Sequence, residues 1–333
     1  MAPAWALCVV VFFAVSLIVG LGVGAVGISP GAIVVSALSH VPGLHVHSSL
    51  DSVQNAILWQ IRAPRVVVTA LVGGMLAIAG ASYQGVFRNP LADPYLLGVA
   101  AGAGLGATLV IAYGNASAQL IPLAAFAGAS VGATASYALG RAAGPARMTG
   151  ALVLAGVTVT SFLTAVQTFV QQQHTDVLQN VYSFILGGFS TASWHDAGVA
   201  APYIGVSSLV LVLHRRVLDV LALGDEEAAS LGVNVGRVRL IVCAAATAGT
   251  AAAVAVSGLI GFVGIIVPHT IRLLFSTSYR AVVPLSLLGG AGFLVLTDVI
   301  ARSILSPQEL PIGVVTAFLG APFFAIVLRT SRR

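Results

Sequence analysis

Ten long apolar runs recur from one end of the chain to the other: 5–27, 61–83, 95–113, 119–140, 151–171, 197–213, 238–256, 260–275, 282–301 and 312–329. A bilayer has a hydrocarbon core of roughly 30 Å, which a helix of about 20 residues crosses. Because that core offers no water to backbone N–H and C=O groups, only helices and closed barrels span it. Barrel strands alternate apolar and polar residues, and these runs do not. The sequence therefore predicts an all-α, polytopic membrane protein of about ten helices, with residues 1–333 forming a single transmembrane domain. The charge content agrees: 8% of the 333 residues are charged, against about 25% in a soluble domain. The eighth run is short for a span.

Two absences exclude chemistry. All fifteen basic residues are arginine. A phosphate-binding P-loop needs its lysine, so the chain carries no such ATP site, and it cannot form a lysine Schiff base. If ATP drives transport, another polypeptide binds it. The two cysteines, Cys8 and Cys243, both fall inside expected spans, where they read as small apolar residues and not as a disulfide or metal pair. The N-terminus lacks the basic segment of a cleaved signal peptide, so residues 5–27 are read as a retained first span.

The arginines set an orientation. With the N-terminus in the cytoplasm and ten spans, Arg88, Arg141, Arg147, Arg215, Arg216, Arg237, Arg239, Arg272, Arg280, Arg329, Arg332 and Arg333 fall inside, as the positive-inside rule requires. The net charge of +5 thus reflects topology and not nucleic-acid binding. Arg62, Arg65 and Arg302 break the rule at outer helix ends. Three explanations stand side by side: snorkelling to headgroups, pairing within the chain (Asp298 and Arg302 are one helical turn apart), and a positive outer face for an acidic partner. The small-residue pairs Gly20/Gly24, Gly102/Gly106, Gly128/Gly132 and Ser257/Gly261 predict close helix packing.

Two polar interruptions stand out on the inner side. The first, RRVLDVLALGDEEAASLGVNVGRVR (215–239), is too polar to span. Asp225, Glu226 and Glu227 precede AASL, where acids suit the first turn of a short helix. The stretch is expected to hold one or two short helices along the membrane face, either as an ordinary solvated loop or as a docking element. The second is QGVFRNPLADPYLLG (84–98). Pro90 and Pro94 forbid a continuous helix, and Asn89 and Asp93 can cap the backbone groups the break frees. Non-helical backbone at membrane depth survives only inside protein or beside a watery cavity. The stretch is thus a candidate inner mouth of a pathway, or a plain tight turn.

This stretch resembles the signature of the FecCD-type permeases, the membrane subunits of bacterial ABC importers for iron chelates, haem and vitamin B12. RAPR (62–65), GVFRNPLADPYLLGVAAGAGLG (85–106), ALGDEEAASLGV (222–233), SGLIGFVGIIVPHTIRLL (257–274) and ELPIGVVTAFLGAPFF (309–324) all look like family segments, in the family's order. The resemblance implies a type II ABC importer permease in the bacterial cytoplasmic membrane. It implies ten helices, both termini cytoplasmic, and a dimer, usually of identical chains, with the pathway on its axis. Two cytosolic ATPase subunits would hold ATP and magnesium, and an extracytoplasmic substrate-binding protein would dock outside. The permease itself would bind no cofactor and catalyse no reaction. By the same resemblance Gly224, Asp225, Glu226, Ala229, Leu231 and Gly232 are coupling residues toward the ATPase. Arg62, Arg65 and Arg302 are binding-protein docking residues, and Asn89, Leu91, Thr149 and Gly150 form the inner gate. The substrate most common in the family is a ferric siderophore; haem and corrinoids are the alternatives, because specificity resides largely in the binding protein.

Two other classes are weaker. An ion-coupled secondary transporter needs an acid near the membrane centre, and the one acid within an expected span, Asp298, lies near an outer end. An intramembrane enzyme would need a motif such as HExxH, GxSG or GxGD, and none occurs. His269 reads as a packing residue. His40, His45 and His47 with Asp51, and His174 and His195, read as outer-loop residues more than as metal ligands.

Overall fold

Residues 3–40, 49–114, 120–142, 144 and 148–330 are described by a computed structural model of the chain. They form helices α1 (Pro3–Gly22), α2 (Pro30–Ser39), α3 (Ser52–Ala56), α4 (Ala63–Phe87), α5 (Val99–Tyr113), α6 (Leu120–Ala142), α7 (Met148–Gln173), α8 (Leu178–Leu186), α9 (Trp194–Leu221), α10 (Asp225–Ser230), α11 (Val235–Ser257), α12 (Val263–Leu274), α13 (Tyr279–Ser303) and α14 (Ile312–Thr330). No strand occurs among the described residues. Seven helices are long and apolar enough to cross a membrane. The shorter apolar α5, α12 and α14 fall on the third, eighth and tenth of the expected spans.

The boundaries moved where polar residues continue a helix past the bilayer. The expected span 197–213 is the middle of α9, which runs on through His214, Arg215, Arg216 and Asp219 to Leu221. So 215–221 is helical, and only one short helix, α10, lies between α9 and α11. The second span is also longer. α3, a π-helical turn (Ile57–Arg62) and α4 run on as one rod, Ser52–Phe87. Pro64 lies within that rod, just past the π-helical turn. Helices α2 and α8 were not expected; each is too short to register as a span. Ser29 caps α2 by accepting from Ala32 N–H, with Pro30 at its start.

Helix α4 is the axis of the molecule. In its most apolar window 83% of residues are buried, against 17% for α1. It packs on α9, α11, α12 and α13. Small residues permit the approach: a Cβ on Gly80 would collide with the Gly264 backbone, and one on Gly102 of α5 with the Gly128 carbonyl of α6. The expected pairs Gly102/Gly106 and Gly128/Gly132 thus mesh with each other's helices.

The antiparallel helices give the bundle two ends. Arg62, Arg65 and Arg302 share one, where α4 begins and α13 ends. At the other, α4 and α12 end, α11 begins and α10 lies, bringing Arg88, Arg239 and Arg272 together. Arg147, Arg332 and Arg333, counted in the orientation, lie outside the described residues.

Candidate functional site

At the Arg88 end, α4 stops at Phe87 and Arg88 turns left-handed, with φ of 50°. The expected caps form. Asn89 Oδ1 accepts from Leu91 N–H at 2.9 Å, and Asp93 Oδ1 accepts from Tyr95 N–H at 2.8 Å. Backbone turns from Ala92 to Asn89, Leu96 to Asp93 and Gly98 to Tyr95 carry the chain into α5. Helix α5, 15 residues long, is only about 22 Å in length, short of the roughly 30 Å of a bilayer core.

The loop is fastened at several points. Gln84, buried on α4, donates from Nε2 to the carbonyls of Ala92 (3.3 Å) and Gly264 (3.1 Å). Its Oε1 accepts from Arg272, whose guanidinium lies 5.4 Å over the Tyr279 ring. Tyr95 reaches the segment 258–262 between α11 and α12. Its hydroxyl donates to Ile260 C=O and accepts from Ile260 N–H, each at 3.0 Å. A Cβ on Gly264 would press into the Pro94 ring, and one on Gly156 of α7 into the Leu96 carbonyl. Two stretches of non-helical backbone therefore satisfy each other through side chains, as backbone away from water must. Sequence reasoning missed Gln84, Tyr95 and Arg272. An amide and a guanidinium within apolar helices are costly unless paired, and that cost was the available signal.

Beside this loop lies α10. Its first turn carries Asp225, Glu226 and Glu227, which favourably meet the positive end of the helix dipole. The six coupling candidates divide by exposure. Glu226, Ala229, Leu231 and Gly232 are exposed, whereas Gly224 is buried and Asp225 turns inward. Arg239 Nη2 donates to both Asp225 oxygens, at 3.2 and 3.1 Å, and Arg88 Nη2 stands 3.6 Å from Oδ1. Leu223, not singled out by the sequence, is exposed, as is Leu231. Nearby, Asp219 of α9 caps α13, accepting from Tyr279 N–H at 2.6 Å and Ser278 Oγ at 2.8 Å.

The gate candidates lie at the same end. Asn89 and Leu91 are exposed, as is Gly150 in the first turn of α7. Among the described residues nothing lies within 4 Å of a Cβ placed on Gly150. The side chain of Thr149 is outside the described set.

At the opposite end the three arginines expected to face a partner are turned inward. Arg62 donates to the carbonyls of Leu21 (2.9 Å), Gly22 (3.1 Å) and Val26, closing the end of α1. Arg65 binds Asp298 through Nε and Nη2 (2.8–3.2 Å) and Glu309 through Nη1 and Nη2 (2.8 and 2.9 Å). Arg302 donates to Gly20 C=O and stands 3.5 Å from Asp298, the expected one-turn pair. Arg62 and Arg65 are buried. Intramolecular pairing is therefore what the structure shows for all three. Three guanidinium groups against two carboxylates leave the cluster one positive charge in surplus.

Among the described residues no group of His, Cys, Asp or Glu could hold a metal ion. His40 packs on Trp59 with centroids 4.5 Å apart, His174 on Tyr113 at 4.6 Å, and His269 edge-on to Phe323 at 5.8 Å. His195 is exposed. His45 and His47 lie outside the described residues. An apolar groove of about 620 Å³ runs between α8, α12 and α14, lined by Leu186, Leu259, Phe262, Val314 and Phe318 among others. Phe318 on its wall is 76% exposed.

The model of the FecCD transport family matches residues 11–330. The cobalamin import system permease protein BtuC of Halobacterium salinarum is 38% identical over 92% of this chain and 82% of its own length. A protein assigned as an iron chelatin transport system permease in Helicobacter pylori is 37% identical over 86% of each chain. A solved ABC transporter assigned to the metal-chelate type, in an inward-facing conformation, superposes with a TM-score of 0.87 over 98% of this chain and 99% of that one, at 28% identity.

Proposed function

The chain belongs to the FecCD transport family, and from that membership we propose that it is the membrane-spanning subunit of an ATP-driven importer of ferric siderophores. The observation that carries the importer reading is the loop 88–98. It is a non-helical segment between α4 and α5, fastened by Gln84 and Tyr95 and facing α10, the exposed short helix beside it, through Arg88. Alternating access by rocking helix groups needs such a link between a moving element and a gate. The chain has no lysine and so no P-loop; two separate cytosolic ATPase subunits bind ATP and magnesium. They dock on α10 through Glu226, Ala229, Leu231 and Gly232, with Gly224 and Asp225 setting its position. Asn89, Leu91, Thr149 and Gly150 form the inner gate.

The groove along α14 supports a second permease subunit, here a second copy of this chain. Its exposed Phe318 and unfilled apolar walls suit a dimer seam with the pathway on its axis. The protein lies in the bacterial cytoplasmic membrane with both termini inside, because most of its arginines then face the cytoplasm. A substrate-binding protein delivers the substrate at the Arg65 end. There the geometry favours Arg62, Arg65 and Arg302 as the residues that shape the docking face, more than as free prongs that contact the partner.

The iron-chelate reading draws on the iron chelatin relative and the metal-chelate type structure. A corrinoid is the second reading, favoured by the cobalamin permease relative; haem is a further member of the same class. Uptake of radiolabelled iron, presented as a ferric siderophore to a strain lacking the gene, separates them. Restored uptake on complementation supports the siderophore. Uptake independent of the gene, with restored uptake of labelled cobalamin, moves the substrate to a corrinoid.

A further inference from the structure

The carboxylate of Asp225 is shared by three elements. It begins α10, it receives Arg239 from α11, and it faces Arg88, the residue at which α4 stops and the gate loop begins. The two arginines differ in kind. Arg239 has a side chain only 3% exposed, and its Nε has no hydrogen-bond partner. A buried cation in this state holds its carboxylate firmly, since losing it would leave the charge uncompensated. Arg88 is 42% exposed and stands at 3.6 Å, a contact that water and salt weaken. Asp225 is therefore anchored on one side and loosely engaged on the other.

The surroundings permit α10 to shift as a unit. It is bounded by Gly224 with φ of 136° and Gly232 with φ of 83°, backbone angles that favour glycine and suit a hinge. Ala228 alone of its six residues is buried. Glu227 folds back so that its carboxylate covers Gly224, and Arg88 Nη1 lies 3.6 Å from a Cβ placed there. The guanidinium of Arg88 thus sits in an acidic notch made by the start of α10, while its backbone is the first residue of the loop.

We propose that Arg88 and Asp225 are positioning residues that convert displacement of α10 into movement of the gate loop, with Arg239 fixing Asp225 to α11. This rests on the reading of α10 as the ATPase docking helix and adds the route by which that helix reaches the gate. Replacing Arg88 cuts the route without touching the exposed face of α10.

The test uses the full permease in complex with its ATPase, in lipid nanodiscs and in a Cys8→Ser background. The remaining native thiol, Cys243, is buried, and one added cysteine is placed either at Leu91 in the loop or at Leu223 beside α10, both exposed. Maleimide labelling rates are compared with and without ATP trapped by a hydrolysis-blocking ATPase variant. With Arg88 intact, both positions change rate several-fold on ATP binding. In Arg88→Gln the change at Leu223 persists, the change at Leu91 is lost, and Arg88→Lys restores it. An unaltered change at Leu91 in Arg88→Gln overturns the proposal and leaves the importer reading standing. Absence of any ATP-dependent change at Leu223 with Arg88 intact overturns the docking role of α10, and the proposal with it.

Discussion

The Tyr95 hydroxyl holds both backbone polar groups of Ile260, donating to its carbonyl and accepting from its N–H at 3.0 Å each. Ile260 is buried, and the segment 258–262 has no helix to satisfy it. Leaving a buried backbone group unpaired costs about 1–3 kcal/mol. Tyr95→Phe removes both partners and keeps the ring, so it should lower the thermal midpoint of the detergent-solubilised protein by several degrees. An unchanged midpoint would show that the hydroxyl is dispensable.

The cluster around Arg65 gives a second expectation. Removing one partner of a buried ion pair costs about 3–5 kcal/mol, so Arg65→Met should destabilise strongly, and Arg65→Met combined with Asp298→Leu less so. Weakened docking of a binding protein would then accompany lost stability. If charge reversal at Arg62 and Arg65 weakened docking with the thermal midpoint intact, direct contact of both with the partner would be the better account.

Glu309 makes this cluster sensitive to acid. Hydrogen bonds from Arg65 hold its carboxyl below the ordinary value of 4.5. A carboxylate whose folded-state pKa is depressed contributes stability above its unfolded pKa and loses it as pH falls through the folded one. Thermal midpoints should decline as pH drops below 4.5, and Glu309→Gln should flatten that part of the decline. An identical acid limb in the variant would remove Glu309 from the account.

The exposed acids of α10 carry the fourth expectation. Glu226 and Glu227 are exposed, so changing both to Lys should leave the fold intact, disrupt co-purification of the ATPase and abolish transport. Normal co-purification and transport in the folded double variant would count against α10 as the docking element.

Much of this was legible in the sequence because it is local. The prolines and the Asn–x–Leu and Asp–x–Tyr spacings of 88–98 determine both the break and its caps, and three consecutive acids announced α10. The end of α9 was not legible, since polarity marks where a span leaves the bilayer and not where a helix stops. Nor could the sequence choose among the roles of Arg62, Arg65 and Arg302. The partners of Arg65, Asp298 and Glu309, lie 233 and 244 positions away, and only the packing of α13 on α4 brings Asp298 within reach. Gln84 shows the same limit: its polarity in an apolar helix is visible, but its acceptors at Ala92 and Gly264 depend on how α12 seats.

The most direct measurement of the central claim is accumulation of substrate in sealed proteoliposomes that hold this chain, its ATPase and, outside, the loaded binding protein. Uptake should require ATP in the lumen, continue when ion gradients are collapsed, and be lost with a hydrolysis-deficient ATPase. Uptake that proceeds without ATP and follows a proton or sodium gradient would contradict that claim.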